Sequence, residues 1–344
     1  MIDSRNKSIL LSHADGTGTA YSPEELMTLR INSWPGWRCS AGYDNIHVRP
    51  DGNVFPATCD FAANYGNVYS GSLSFAKTWL TCNVKWCMCG SDMRLRKAKT
   101  ETLQRELEQR DTSSPPEVTG PLKSPDDAQF VSSIHFQETQ RFPKSVTWDI
   151  SKRCNFKCTY CNPRISNQTD PLRTRDEVFS AAFKIMRDFA PSQRISWIFT
   201  GGEPTLHPFY LELCEMLFGK QHVVHTQTNG SRLPSYYAEL IRWSCVGISV
   251  HLEFASPEKI AEVTRAIIKM KLSDPQASRH WFGVRIMVAP GMFEKAHALY
   301  KTLMAIPDIG PHGTVYMSAL YDKNEYDQMM TYDPDEFRAI LALS

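Results

Sequence analysis

From about residue 145 onward, short apolar runs of β type alternate with stretches of helical periodicity, and this alternation limits the fold more tightly than any other feature. The β-type runs are SVTWDIS, ISWIFT, HVVHTQ, CVGISVHL, FGVRIMV and TVYMSAL. Among the helical patterns are RDEVFSAAFKIMRDFA, FYLELCEMLF, SYYAELIRW and PEKIAEVTRAIIKM. Strands alternating with helices imply parallel β/α units, and six such units are too few for a closed eight-fold barrel. Folds of this kind collect ligands at the carboxyl ends of their strands. Polar residues stand at those ends: Gly201, Gly202 and Glu203 after the second strand, Thr228 and Asn229 after the third, and His251 and Glu253 after the fourth, with Arg285 inside the fifth.

Directly after the first strand comes SKRCNFKCTYCNPR, in which three and then two residues separate Cys154, Cys158 and Cys161. An iron-sulfur cluster is normally held by four thiolates, and a zinc site asks for tetrahedral closure, usually with His. Three thiolates on one loop therefore leave an iron open to a small molecule. Eight of the ten cysteines fall in two tight groups, which in a reducing compartment reads as metal binding rather than as a disulfide framework. The other two, Cys214 in YLELCEMLF and Cys245 at the start of a strand, read as core residues.

The CxxxCxxC loop after a strand, followed one strand later by GGEP, resembles the radical S-adenosylmethionine (SAM) superfamily. The resemblance implies an α/β fold, a partial (β/α)6 barrel over residues 145–344, with a 4Fe-4S cluster on Cys154, Cys158 and Cys161 and SAM chelated at the open iron. It further implies that the turn Gly201, Gly202, Glu203 meets the methionyl amino group and that Tyr160 leans toward the adenine. Thr228, Asn229 and Ser249 are then candidates for the ribose hydroxyls or the methionyl carboxylate, and the planar fork of Arg285 suits that carboxylate. Reductive cleavage of SAM to a 5'-deoxyadenosyl radical is the chemistry implied, with a flavodoxin or ferredoxin-type donor as electron source.

Residues 1–93 carry five cysteines, Cys39, Cys59, Cys82, Cys87 and Cys89, and short alternating runs around a PDG turn, as expected of a small β-rich module. The stretches CSAG, RPDGNVFPATC and YGNVYSG resemble the SPASM and twitch modules of radical SAM maturases, although those modules usually follow the barrel. The resemblance implies one auxiliary 4Fe-4S cluster on four of the five thiols, with Cys59, Cys82, Cys87 and Cys89 slightly favoured and Cys39 a competitor. Zinc is the alternative occupant. Residues 94–144 are expected to form a charged, solvated connecting helix with Leu95, Leu103 and Leu107 near one face, and then a Pro- and Ser-rich linker.

A formal net charge of +1 argues against a strongly electrostatic nucleic-acid or membrane binder. No signal sequence or long apolar run is present, so a cytoplasmic protein without a membrane partner is expected. The substrate expected is an amino-acid-derived group, borne on a peptide or attached to another scaffold. A modified nucleoside or nucleobase, as in viral DNA hypermodification, is the alternative, and a non-catalytic Fe-S or zinc protein is a third possibility. The first 36 residues look too short and irregular for the leader-binding module common in peptide maturases. Gln227, His251 and Glu253, with Tyr321, Asp322, Asn324 and Glu325 after the last strand, are the substrate-contact candidates.

Overall fold

The computed structural model describes residues 9–13, 17–21, 23–59, 63–87, 89–109, 131–136, 144–161, 166, 170–322 and 329–344. The chain divides into two compact units, one of residues 1–48, 52–147 and 188–193, the other of residues 49–51, 148–187 and 194–344. The Pro- and Ser-rich linker, Asn324 and Glu325 lie outside the described residues.

The first unit contains β1 (Ile9–His13), β2 (Gly18–Tyr21), α1 (Pro23–Thr28), β3 (Arg38–Cys39), β4 (Asn45–Val48), β5 (Val54–Phe55), β6 (Leu80–Thr81), α2 (Gly90–Met93), β7 (Lys97–Ala98), α3 (Glu101–Gln109) and β8 (Val131–Phe136). Six of these strands form a sheet in the order β2-β1-β8-β7-β3-β6, every pairing antiparallel. β4 and β5 pair antiparallel and belong not to this sheet but to an eight-stranded one.

The charged segment from residue 94 is part of this unit rather than a solvated connector. Leu107 is buried against Trp79 and Ala98, with Leu103 and Tyr43 beside them, and Leu95 packs with Cys39 and Cys82. Arg96 makes two 2.8 Å bonds to the Asp44 carboxylate and a 2.9 Å bond to the Leu107 carbonyl. Apolar area removed from water stabilises at about 25 cal/mol per Å², and Trp79, 1% exposed, is among the side chains that supply it.

The second unit runs β9 (Lys144–Ser151), whose first residues belong to the first unit, α4 (Arg175–Phe189), β10 (Ile195–Gly201), α5 (Tyr210–Gly219), β11 (Val223–Thr228), α6 (Pro234–Leu240), β12 (Cys245–His251), α7 (Pro257–Ser273), α8 (Pro275–Ser278), β13 (Phe282–Val288), α9 (Phe293–Met304), α10 (Ile309–His312), β14 (Thr314–Ala319) and α11 (Pro334–Ala342). The strands β9 to β14 lie side by side in chain order. From β10 to β14 each pairing is parallel. This is the partial (β/α)6 barrel expected from the sequence.

Strand alternation separates two faces. On β11, Val224, Thr226 and Thr228 are buried while Val223, His225 and Gln227 are half-buried. One face carries Trp197, Phe199, Val246, Ile248, Val250, Val284 and Ile286, all buried. α7 covers its part of the core with Ile260, Val263, Thr264, Ile267, Ile268 and Lys271, the spacing of one helical stripe. It begins at Ser256, whose hydroxyl accepts from the Lys259 amide, with Pro257 in the first turn. Among the described residues no helix is long and apolar enough to cross a membrane.

Candidate cofactor and substrate site

The other face of β11 to β14 is where polar residues collect. Register places Gln227 beside Gly247, Ser249 beside Arg285, and Arg285 beside Tyr316. His251 and Met287 follow one pair further along, with Ser318 beyond. All these side chains are half-buried. Arg285 Nη2 reaches the Ser249 hydroxyl at 3.4 Å, so the two candidates for the methionyl carboxylate stand together.

The cysteine loop is fastened at three places. At its root, the Gly202 amide donates to Ser151 O at 2.7 Å and the Glu203 amide to Arg153 O at 2.8 Å. A Cβ on Gly202 would lie 2.3 Å from Arg153 O, and one on Gly201, whose φ is +108°, would lie 2.5 Å from Ser151 O. The two glycines thus let two stretches of main chain touch. In its middle, Asn229 Nδ2 donates to Asn155 Oδ1 at 2.9 Å and approaches Cys154 Sγ at 3.8 Å. At its far end the loop meets β12: Glu253 accepts from the Thr159 amide at 2.8 Å and its hydroxyl at 2.5 Å. The Tyr160 hydroxyl is 3.0 Å from His251 Nδ1 with the rings stacked, and Phe156 stacks on Phe254.

Three assignments change as a result. The carboxylate expected at the methionyl ammonium turns into the protein: Glu203 is 1% exposed. Its Oε1 accepts from the Thr205 amide (3.1 Å), the Thr205 hydroxyl (2.6 Å) and the Thr228 hydroxyl (2.7 Å), and its Oε2 from the Asn229 amide (2.6 Å). Burial pushes this carboxyl up, while these donors pull it back. Thr228 is likewise engaged, with Glu203 and with Tyr237 at 3.0 Å, which leaves its hydroxyl no place at a ribose. His251 and Glu253, expected at a substrate, hold the cysteine loop instead. Sequence spacing carries no sign of these pairings, since the partners stand 91 and 94 residues apart. Tyr321 bridges to Met329, and Tyr321 and Asp322 are half-buried.

Cys154, Cys158 and Cys161 are all partly exposed on this loop. Burial raises Cys158 to about 12, with Cys161, Glu253 and Cys154 adding to it. Among the described residues no three His, Cys, Asp or Glu side chains are gathered closely enough to hold a metal ion. The donor chemistry fits an iron-sulfur group: three thiols on one anchored loop, with an amide N–H 3.4 Å from Cys154 Sγ. Cys214 and Cys245 are core residues, as expected.

In the first unit, Cys39, Cys82 and Cys87 are buried and Cys59 and Cys89 partly so. Cys39 and Cys82 share one apolar cluster, with Cys59 packed against it. The Cys59 amide donates to Asp92 at 3.0 Å. Burial raises Cys39, Cys59 and Cys87, and each also feels other cysteines of this set.

A partial barrel of parallel strands, a CxxxCxxC loop at the end of its first strand and a GGEP turn clamped to that loop define the radical SAM class. Residues 148–275 match the sequence profile of the radical SAM superfamily. The chain is 34% identical over 124 residues to a GTP 3',8-cyclase of Actinobacillus succinogenes, covering 33% of this chain and 34% of that protein. With the mycofactocin maturase MftC of Mycobacterium ulcerans it shares 28% identity over 118 residues, 34% of this chain and 31% of the other. The chain thus spans about a third of the length of these relatives. Among solved structures, Streptococcus suis SuiB bound to precursor peptide SuiA aligns with TM-score 0.40 and 14% identity, over 69% of this chain and 54% of that one. The family implies a 4Fe-4S cluster and SAM as cofactors.

Proposed function

We propose that this chain is a radical SAM enzyme that binds SAM over the half-buried face of β11 to β14 and generates a radical next to an amino-acid-derived group. The observation that carries this reading is the docking of the cysteine loop onto β12 through Thr159, Tyr160 and Phe156, at the end of the strand that also bears Ser249 beside Arg285. Cys154, Cys158 and Cys161 would hold the cluster, which when bound supplies the electron that splits SAM into methionine and a 5'-deoxyadenosyl radical.

The protein's own part is placement. Arg285, with Ser249, offers a cationic fork to the methionyl carboxylate, and Tyr160 presents a ring held by His251 to the adenine. Since the Glu203 carboxylate is engaged inside the protein, the methionyl ammonium falls to backbone carbonyls of the same turn. Gln227, Tyr316 and Ser318 line the remaining polar face for substrate, whose reacting C–H must come within roughly 3 to 3.5 Å of its attacker. Similarity to a mycofactocin maturase supports the amino-acid reading, and similarity to GTP 3',8-cyclases supports a purine nucleotide as the second. A flavodoxin or ferredoxin-type donor would supply the electron. Four of the five N-terminal cysteines would hold an auxiliary metal centre, a 4Fe-4S cluster in preference to zinc.

Anaerobic protein given dithionite or a flavodoxin system should convert SAM to 5'-deoxyadenosine, and Cys158→Ala should not. Equal SAM cleavage by the two chains would overturn the proposal.

A further inference from the structure

The cysteine loop of the second unit presents an aromatic pair to solvent. Phe156, between Cys154 and Cys158, stacks on Phe254 with ring centres 5.6 Å apart and planes 24° apart, and Phe254 is 46% exposed. The turn that carries Phe254 is fixed. The amides of Phe254 and Ala255 donate to His251 O at 2.9 and 2.8 Å, and Lys295 Nζ donates to Leu252 O at 2.8 Å. The open ring therefore stands on an anchored backbone.

The same loop bears charge of one sign. From Ser151 to Arg164 it carries Lys152, Arg153, Lys157 and Arg164 and no carboxylate. Arg153 and Lys157 are exposed, and among the described residues neither is in an ion pair. The carboxylate that does reach the loop, Glu253, is engaged by the Thr159 amide and hydroxyl. Glu258, just beyond the Phe254 turn in sequence, accepts from the Ser256 hydroxyl at 2.6 Å and feels the charge of Lys295. Lys157 and Arg153 are thus left to act outward. Aromatic side chains and Arg are enriched where proteins meet, and exposed charges of one sign steer a partner of the other. Position in the chain indicates which partner. Phe156 and Lys157 stand between two thiols of the cluster loop, whereas SAM and substrate are assigned to the half-buried face of β11 to β14. A protein seated on Phe156 and Lys157 approaches the thiols, as a supplier of electrons must.

We propose that the exposed side of the cysteine loop, Arg153, Phe156 and Lys157 together with Phe254, is the docking surface for an acidic one-electron donor protein. This rests on the radical SAM reading above. In the complex one electron leaves the reduced donor, which is oxidised by one equivalent, and passes to the cluster on Cys154, Cys158 and Cys161, which is reduced by one; no bond forms or breaks. Contacts of this kind are small, below about 1,200 Å² in total, and charges this exposed make them sensitive to salt.

The test uses the anaerobically reconstituted full chain, with an acidic flavodoxin as the probe and calorimetry as the readout. Lys157→Arg, Lys157→Ala and Lys157→Glu form a charge series. At low salt Lys157→Arg should bind the flavodoxin as wild type does, Lys157→Ala more weakly, and Lys157→Glu about tenfold more weakly than wild type. These differences should fade at high salt. With dithionite, which needs no docking surface, all four chains should cleave SAM at one rate, and the midpoint potential of the cluster should stay the same. Equal flavodoxin affinity across the series would overturn the proposal. So would a Lys157→Glu chain whose cluster potential or dithionite-driven cleavage changed as much as its flavodoxin affinity, since Lys157 would then serve the cluster and not a partner. Displacement of flavodoxin by poly-glutamate at equal concentration would reveal a general anion surface and would also overturn it. A wild-type chain that bound flavodoxin as expected but cleaved no SAM with dithionite would leave the docking surface standing and overturn the radical SAM reading.

Discussion

Replacing Glu203 separates two roles that a GGEP turn could have. In the structure its carboxylate joins the end of β10 to the end of β11 through Thr205, Thr228 and Asn229. Glu203→Ala removes the acceptor for four donors at a site closed to water. Each donor left unmatched costs about 1 to 3 kcal/mol, the losses overlap, and a total of roughly 3 to 5 kcal/mol follows. At about 2 to 4 °C per kcal/mol for a domain of this size, the thermal midpoint should fall by roughly 6 to 20 °C. Glu203→Gln is the finer probe. Its oxygen can serve the three donors at Oε1, while its NH2 would face the Asn229 amide, so roughly 1 to 3 kcal/mol should be lost. Thermal unfolding of the three chains and the rate of iron loss to a chelator would be measured together, because Asn229 also touches the cysteine loop. Suppose instead that Glu203→Ala melted with wild type and kept its iron, while SAM affinity fell tenfold or more. The carboxylate would then face SAM, and the inward assignment would be refuted.

Two further outcomes are expected. Glu253→Ala, which frees Thr159 and the far end of the cysteine loop, should speed iron loss by about tenfold while shifting the thermal midpoint little; unchanged iron lability would remove its anchoring role. Burial lowers both His207 and His222 to about 4, the latter helped by Lys220 and Arg194. A histidine in the unfolded chain titrates near 6.5, so between about pH 6.5 and 4 the unfolded state binds more protons and these residues' contribution to stability is lost as pH falls. The acid-side slope of the melting temperature should be shallower in His222→Gln, and equal slopes would count against this.

The second unit was largely legible because its signals are local. Strand alternation and the spacing of Cys154, Cys158 and Cys161 survive in any window of a dozen residues. What stayed hidden depends on pairing across the chain. The inward turn of Glu203 is decided by donors from Thr228 and Asn229 on the next strand, and nothing in GGEP announces it. His251 and Glu253 look like substrate ligands because polar groups at strand ends usually face a ligand, yet here they face the cysteine loop. In the first unit, Arg96 and Lys97 both point inward from a run whose composition reads as solvated, since average hydrophobicity weighs a charge and ignores its partner. The burial of Leu107 on Trp79 was invisible for the same reason.

The loop that bears Cys154, Cys158 and Cys161 also carries a consequence for the order of events during synthesis. Its partners at and just past the end of β12, His251 and Glu253, lie 91 and 94 residues later in the chain, and contacts of such separation form late because loop-closure entropy must first be overcome. At roughly 5 to 20 residues per second, a ribosome takes about 5 to 20 s to make the intervening stretch. During that interval the three thiols exist without the surface that fixes them, exposed to oxidation and to stray metals. A cluster on these thiols would gain the surface that anchors its loop only once the end of β12 has been made.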